Sequence, residues 1–255
     1  MNQLSEARVE QKLAQTPEAQ YLLRERTLNR VAFALGLIIV LSIILVWIPE
    51  PFRNLFLSNL AANRLLIACL FLFGLVASSL LWSRGQRIDV WLFNAMNLRG
   101  YHSTWLDRAM WVSTQIGNMR FTALLAIFAY LVGHRGFAIA LGLGSLTLWL
   151  LVTVIKTVTD RARPFNLLRE TRIIGLHEPG LSFPSGHTAQ TFYTATLVIG
   201  YFHLPIGIAV LVYGLAVLVG FTRVYLGVHY PRDVIAGAVL ALIWSSISLL
   251  IASYL

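Results

Sequence analysis

Phe183-Pro184-Ser185-Gly186-His187 runs directly into Thr188 to Leu204, a stretch without Asp, Glu, Lys or Arg. Proline suits the first turn of a helix, and the first amides of any helix lack intrahelical acceptors. The spacing therefore predicts a helix opening at Pro184, with the N–H groups of Ser185, Gly186 and His187 turned outward. Free amides, the positive end of the helix dipole, a small hydroxyl and a glycine permitting close approach together suit an anion. His187, at the edge of such a site, is placed to donate a proton to a leaving oxygen. The plainer alternative is a helix cap that a histidine happens to follow, and so short a motif does not decide between them.

Outward from this point the chain is organised by its apolar blocks. Of its 255 residues, 57% are hydrophobic and 12% charged, about half the charged fraction of a soluble domain. The apolar residues are concentrated in runs that suit a bilayer. Seven runs read as spans: Val31 to Ile48, Leu65 to Trp82, Phe121 to Gly133, Phe137 to Ile155, Thr188 to Leu204, Ile206 to Phe221 and Val234 to Leu255. The expected fold is an all-α, polytopic membrane bundle. Residues 1–30 form a polar N-terminal segment of mixed charge, too long before the first apolar core to resemble a secretory signal. Residues 31–64 add a span and a loop, and residues 65–255 form the main domain. Between them the spans leave Ser83 to Arg120, where tryptophans alternate with charges. This segment is expected to lie in the membrane interface. The lone Cys69 sits in an apolar run and reads as a small buried hydrophobe.

Twenty Lys and Arg against eleven Asp and Glu leave a formal charge of +9. No basic polar domain gathers them, which argues against a nucleic-acid partner. Most are edge residues that meet lipid headgroups. Two further polar islands are different. In Lys156-Thr-Val-Thr-Asp-Arg-Ala-Arg163-Pro164, seven residues make nearly two helical turns. Lys156 and Arg163 would then share a face, with the helix ending near Pro164. In Thr222-Arg223-Val-Tyr-Leu-Gly-Val-His229-Tyr-Pro231-Arg232-Asp233, Pro231 predicts the start of the last helix, with Asp233 in its first turn. Asp233 would accept a hydrogen bond from one nitrogen of His229 and leave the other as a nucleophile. Arg223 would swing toward the same anion. Each island alone also reads as an ordinary membrane flank or capped helix. Crossing by crossing, however, Lys156, His187, Thr222 and Asp233 emerge on one face. Two histidines, three cations and a carboxylate without metal-ligand spacing fit phosphoryl transfer through histidine.

Lys-x6-Arg-Pro, Pro-Ser-Gly-His and Arg-x5-His-x3-Asp, in this order, resemble the three signature motifs of the type-2 phosphatidic acid phosphatase superfamily, which includes the vanadium haloperoxidases. The resemblance follows the span order from Leu65 to Leu255 and is specific across Lys156 to Asp233. It implies a six-helix phosphatase core, to which Val31 to Ile48 is extra. By the resemblance, His229 attacks phosphorus to give a phosphohistidine, Asp233 orients it, and His187 is the acid toward the leaving group. Lys156, Arg163, Ser185, Gly186 and Arg223 hold the phosphate oxygens, and no metal or other cofactor is required. The family's third motif usually opens with Ser where this chain has Thr222, which implies a retuned hydroxyl contact.

The expected substrate is a phosphomonoester or diphosphate of a lipid whose tails stay in the bilayer. His177, Glu178 and Arg172 are expected to be solvated loop residues. A lipid-to-lipid phosphotransferase would use the same pocket, and a non-catalytic anion transporter or scaffold would need neither His229 nor Asp233. Bacterial members of the family place the site outside the cytoplasm, which implies the cytoplasmic membrane with an extracytoplasmic site. Charge points the other way. All but three of the twenty Lys and Arg (Arg53, Arg64 and Arg135) fall on the site's face, which the positive-inside rule would make cytoplasmic.

Overall fold

A computed structural model describes residues 63–252 apart from 169, 176 and 177, together with the isolated positions 50, 54 and 58. Val31 to Ile48 and His177 therefore lie outside the described residues. Ser58–Lys156 and Asp160–Leu255 belong to one compact unit, which carries the helical core.

Among the described residues the structure is helical and without strands. Each of the six apolar runs expected to form the core is a helix: α1 (Arg64–Ser79), α4 (Met119–Leu131), α5 (Arg135–Thr159), α7 (Gly186–Phe202), α8 (Ile206–Tyr225) and α9 (Pro231–Ala252). Three of these helices are long and apolar enough to cross a membrane, those beginning at Arg135, Ile206 and Pro231; counting the bent α1–α2 pair as one span makes four. The Ser83 to Arg120 segment folds as α2 (Ser83–Asn97), α3 (Thr104–Thr114) and a 3-10 turn at Gln115–Gly117. The axes of α1 and α2 differ by 93°. A four-residue helix, α6 (Pro164–Leu167), follows α5.

The main core lies between α4, α5, α7 and α9, where Leu141, Leu148, Tyr193, Leu197 and Ala241 are fully or almost fully buried. Outward-facing Leu124, Phe128, Leu143, Val210 and Leu211 are all more than half exposed. In water such a belt would be costly; in a bilayer it is the expected surface. Small residues permit the closest approaches. A Cβ on Gly237 of α9 would lie 2.5 Å from the Ser185 carbonyl oxygen, so glycine there lets α9 seat the start of α7. Gly227 has φ +84 and turns the chain between α8 and α9, a conformation that other residues adopt at a cost.

Two expectations about element ends need correction. The helix carrying Lys156 does not reach Arg163: it stops at Thr159, where Asp160 takes a left-handed conformation and caps back to the Lys156 carbonyl. Lys156 and Arg163 therefore do not share a helical face. The Ser185 amide is also not free, because it donates to the Asp233 carbonyl at 2.9 Å. This bond pins the start of α7 to the first turn of α9. The predicted start of the last helix at Pro231, with Asp233 in its first turn, agrees with the structure.

Candidate active site

The three polar islands meet. A cavity of about 230 Å³ is lined by the polar Lys156, Glu178, Gly186, His187 and His229 and by the apolar Leu148 and Val152. Leu148, Val152 and Lys156 follow one another at i, i+4 and i+8 on α5, so one helix face runs from apolar to cationic. Asn118 and Met119, at the start of α4, and Gln190 of α7 complete much of the remaining wall.

His229 reaches this cavity from the α8–α9 turn, where its amide and that of Val228 both donate to the Arg223 carbonyl. Its ring is 1% exposed. Nδ1 lies 3.5 Å from Asp233 Oδ2 and 3.4 Å from Ser182 Oγ. The carboxylate is itself anchored: Oδ2 accepts from Ser182 Oγ at 2.5 Å and from the Tyr230 amide at 2.8 Å. Oδ1 accepts from Arg161 at 2.6 Å. Burial pushes the His229 pKa well below its ordinary 6.5, and Arg163, Arg223 and Lys156 add to this effect against the pull of Glu178. The imidazole is thus neutral at neutral pH, with one nitrogen turned to the Ser182–Asp233 pair. It has the protonation state of a nucleophile.

Around the ring stand the cations. Arg163 donates to Glu178 Oε2 at 3.1 Å and to the carbonyls of Gly180 and Val228 at 3.2 and 3.4 Å. Arg223, 2% exposed, donates to Glu178 Oε1 and, at 2.8 Å, to Thr114 Oγ1. Its Nε is buried and has no hydrogen-bond partner among the described residues. An orphaned guanidinium donor costs free energy unless something accepts from it. His187 Nδ1 is 4.0 Å from the same Glu178 carboxylate.

Glu178 is therefore not the solvated loop residue expected from sequence. It joins Arg163 and Arg223 and approaches His187. Burial works against its ionisation, but the Arg223 guanidinium paired with it outweighs this and holds the carboxyl well below the usual carboxylate range. Arg172 is likewise bound, pairing with Asp107 Oδ2 at 2.7 Å and with His102 Nδ1 at 2.6 Å. Two expected contacts are redirected. The Thr222 hydroxyl donates at 2.6 Å to Val219 O in its own helix and does not retune the site. The Ser185 hydroxyl is fully buried and accepts from Thr188 at 2.9 Å.

Sequence reasoning missed Asp89, Arg161 and Ser182. Asp89 was legible in principle: it lies four residues before Phe93 and eight before Asn97, on the stripe of α2 that becomes the buried one. Asn97, fully buried, donates to the Arg172 and Tyr225 carbonyls at 2.8 Å each and so joins the end of α2 to the middle loop and to α8. Ser182 carries no such signal, because its role depends on how the loop folds back. Among the described residues no group of three His, Cys, Asp or Glu side chains could hold a metal ion.

Together these features mark a helical integral membrane protein with a buried His–Asp pair opposite a cationic cradle. The model of the PAP2 superfamily matches residues 133–255. The chain is 33% identical over 191 residues to phosphatidylglycerophosphatase B of Bacillus subtilis, covering 68% of this chain and 88% of the relative. It is 36% identical over 116 residues to the undecaprenyl-diphosphatase of Sulfolobus acidocaldarius, covering 46% and 54%. Among crystal structures, the PAP2-type phosphatidylglycerolphosphate phosphatase of B. subtilis superposes with a TM-score of 0.64 at 27% identity, covering 74% of this chain and 96% of the other. LpxE of Aquifex aeolicus gives 0.57 at 29% identity, covering 64% and 94%. The chain belongs to the PAP2 superfamily.

Proposed function

We propose that this enzyme hydrolyses a phosphate ester or diphosphate of a membrane lipid through a phosphohistidine on His229, without a metal ion. The observation that carries the reading is the convergence of Lys156, Arg163 and Arg223 on one neutral, buried imidazole. Nε2 of His229 attacks phosphorus and the phosphorus–oxygen bond to the lipid breaks. Burial and Arg223 push the His187 pKa down to about 3, so His187 takes up its proton when the substrate's negative charge arrives and gives it to the departing oxygen. Water then attacks the phosphohistidine, returns a proton to His187 and releases inorganic phosphate. The guanidiniums, Lys156 and the first amides of α7 stabilise charge on the equatorial oxygens. The wall of Leu148 and Val152 beside Lys156 suits a headgroup whose chains remain in the bilayer. The named relatives make phosphatidylglycerophosphate and a polyprenyl diphosphate the first candidates.

Phosphate release by the purified protein from a panel of lipid phosphates tests the activity, with a labelled lipid acceptor separating hydrolysis from phosphotransfer. His229→Ala is expected to abolish turnover while vanadate, a mimic of five-coordinate phosphorus, still binds. Full turnover in that variant would end the reading. EDTA is expected to leave the rate unchanged; loss restored by added metal would overturn metal independence. We place the site on the extracytoplasmic face of a bacterial cytoplasmic membrane, following the family and against the charge count. Labelling of a cysteine introduced at exposed Glu170 in intact cells decides between them.

A further inference from the structure

Behind Asp233 lies a group of charges that the reaction itself does not use. Arg161 is not among the residues walling the cavity. One arm of its guanidinium donates to Asp233 Oδ1 at 2.6 Å; the other donates to Asp89 Oδ2 at 2.5 Å and to Gln86 Oε1 at 2.8 Å. Its plane lies over the Tyr230 ring, 4.4 Å from the centroid. Asp89 also accepts from Arg232, through Nε at 2.6 Å and the amide at 3.1 Å. The side chains of both carboxylates are at most 2% exposed, and those of Arg161 and Arg232 are 10% and 13% exposed. Two carboxylates and two guanidiniums thus form a closed, balanced cluster joining α2, the segment after α5, and the start of α9.

We propose that Arg161 is a positioning residue for the His229–Asp233 pair: divided between Asp233 and Asp89, its guanidinium fixes the carboxylate that orients the imidazole and ties it to α2. The inference rests on the reading of His229 as nucleophile. Arg161 is the only ion-pair partner of Oδ1 among the described residues, while Oδ2 is held by Ser182 and Tyr230. Take Arg161 away and the carboxylate can turn about its Oδ2 contacts, moving the acceptor that His229 Nδ1 faces. Arg161 also balances the charge of Asp233. Without it, the excess negative charge would favour an imidazolium, which cannot attack phosphorus. The other charges facing His229 are Lys156 from α5, Arg163 and Glu178 from the loop, His187 from α7 and Arg223 from α8; the Arg161 variants leave all of them in place.

The test uses the full chain, purified in detergent, with kcat, KM, the pH profile of kcat/KM and vanadate inhibition measured together. Arg161→Gln is expected to lower kcat by up to about 100-fold, the scale of a small misplacement, with vanadate affinity unchanged because the cradle is intact. Its acid limb should move upward by about one pH unit, as expected when a nearby carboxylate loses its cation. Arg161→Lys keeps the charge but cannot fork between two carboxylates. It should return the limb to its original position while kcat stays below wild type. Asp89→Asn leaves the guanidinium to Asp233 alone, so its limb should stay or move downward. A role confined to packing would lower kcat and vanadate affinity together and leave the limb in place, which would overturn the proposal. Wild-type kcat in Arg161→Lys would also overturn it, and that variant decides the matter should Arg161→Gln fail to fold. An active His229→Ala variant would instead remove the underlying reading, so the two failures are distinguishable.

Discussion

On one side of the His229 ring, Asp233, Arg161, Asp89 and Arg232 set two carboxylates against two guanidiniums. On the other, Lys156, Arg163 and Arg223 face the single carboxylate of Glu178. The first cluster is neutral, closed and away from the cavity; the second carries excess positive charge and reaches the cavity through Lys156 and Glu178, with Arg163 and Arg223 behind them. A balanced cluster has nothing left to offer a ligand and holds its members still. An unbalanced one in a low-dielectric site gains most when an anion arrives. Both clusters are largely buried, so on the proposed reading charge count, more than burial, separates groups that support the site from groups that hold substrate.

Disrupting the unbalanced side should have the largest effect. Arg223→Ala removes a buried guanidinium with one orphaned donor and is expected to lower kcat/KM by about 100- to 1,000-fold, as for loss of one preorganised donor. Vanadate affinity should fall with it, in contrast to Arg161→Gln. Equal vanadate affinity in both variants would erase the distinction between the two clusters.

Glu178→Gln probes the same contrast in the opposite sense. The substrate's phosphate and the Glu178 carboxylate seek the same two guanidiniums, so neutralising Glu178 should tighten inhibition by vanadate by about tenfold, the effect of roughly 1.4 kcal/mol. The same change strips two buried cations of their carboxylate and should lower Tm in phosphate-free buffer, with recovery when phosphate is added. Weaker vanadate inhibition in this variant would mean that Glu178 helps to bind the anion.

The smallest effect is on pH. Because the His229 pKa is depressed, the proposed nucleophile stays neutral below pH 6.5, and activity is expected to fall only as pH drops through its lower folded value. Glu178 is likewise held ionised below the usual carboxylate range. By linkage, the unfolded chain takes up a proton on His229 near 6.5 and the folded one does not. Stability therefore declines as pH falls below that value. An acid limb at or above 6.5 in the native enzyme would contradict the neutral, buried imidazole.

Much of this was readable before any coordinates. Pro231 and Asp233 marked the start of α9 because proline and an acidic side chain are each favoured in a first turn. The six apolar runs became helices because backbone groups in a bilayer must be satisfied within the segment. The misreadings have different causes. Lys156 and Arg163 looked like neighbours on a helix, but helix ends depend on a single residue's conformation, here Asp160 in the left-handed region. Glu178 looked solvated because a loop sequence carries no periodicity from which to infer burial. Thr222 looked like a site hydroxyl, but within a helix it could satisfy itself on the Val219 carbonyl.

Local chemistry along the chain determined the membrane class, the helices of the main domain and the identity of the groups able to handle phosphate, because hydropathy, capping and side-chain type are properties of short segments. Tertiary structure alone decided how those groups are partnered. Asp89 and Asp233 are 144 residues apart in sequence, yet they share one guanidinium. Whether a buried charge binds substrate or merely steadies its neighbour depends on what the folded chain brings within about 3 Å of it, the distance over which hydrogen bonds act.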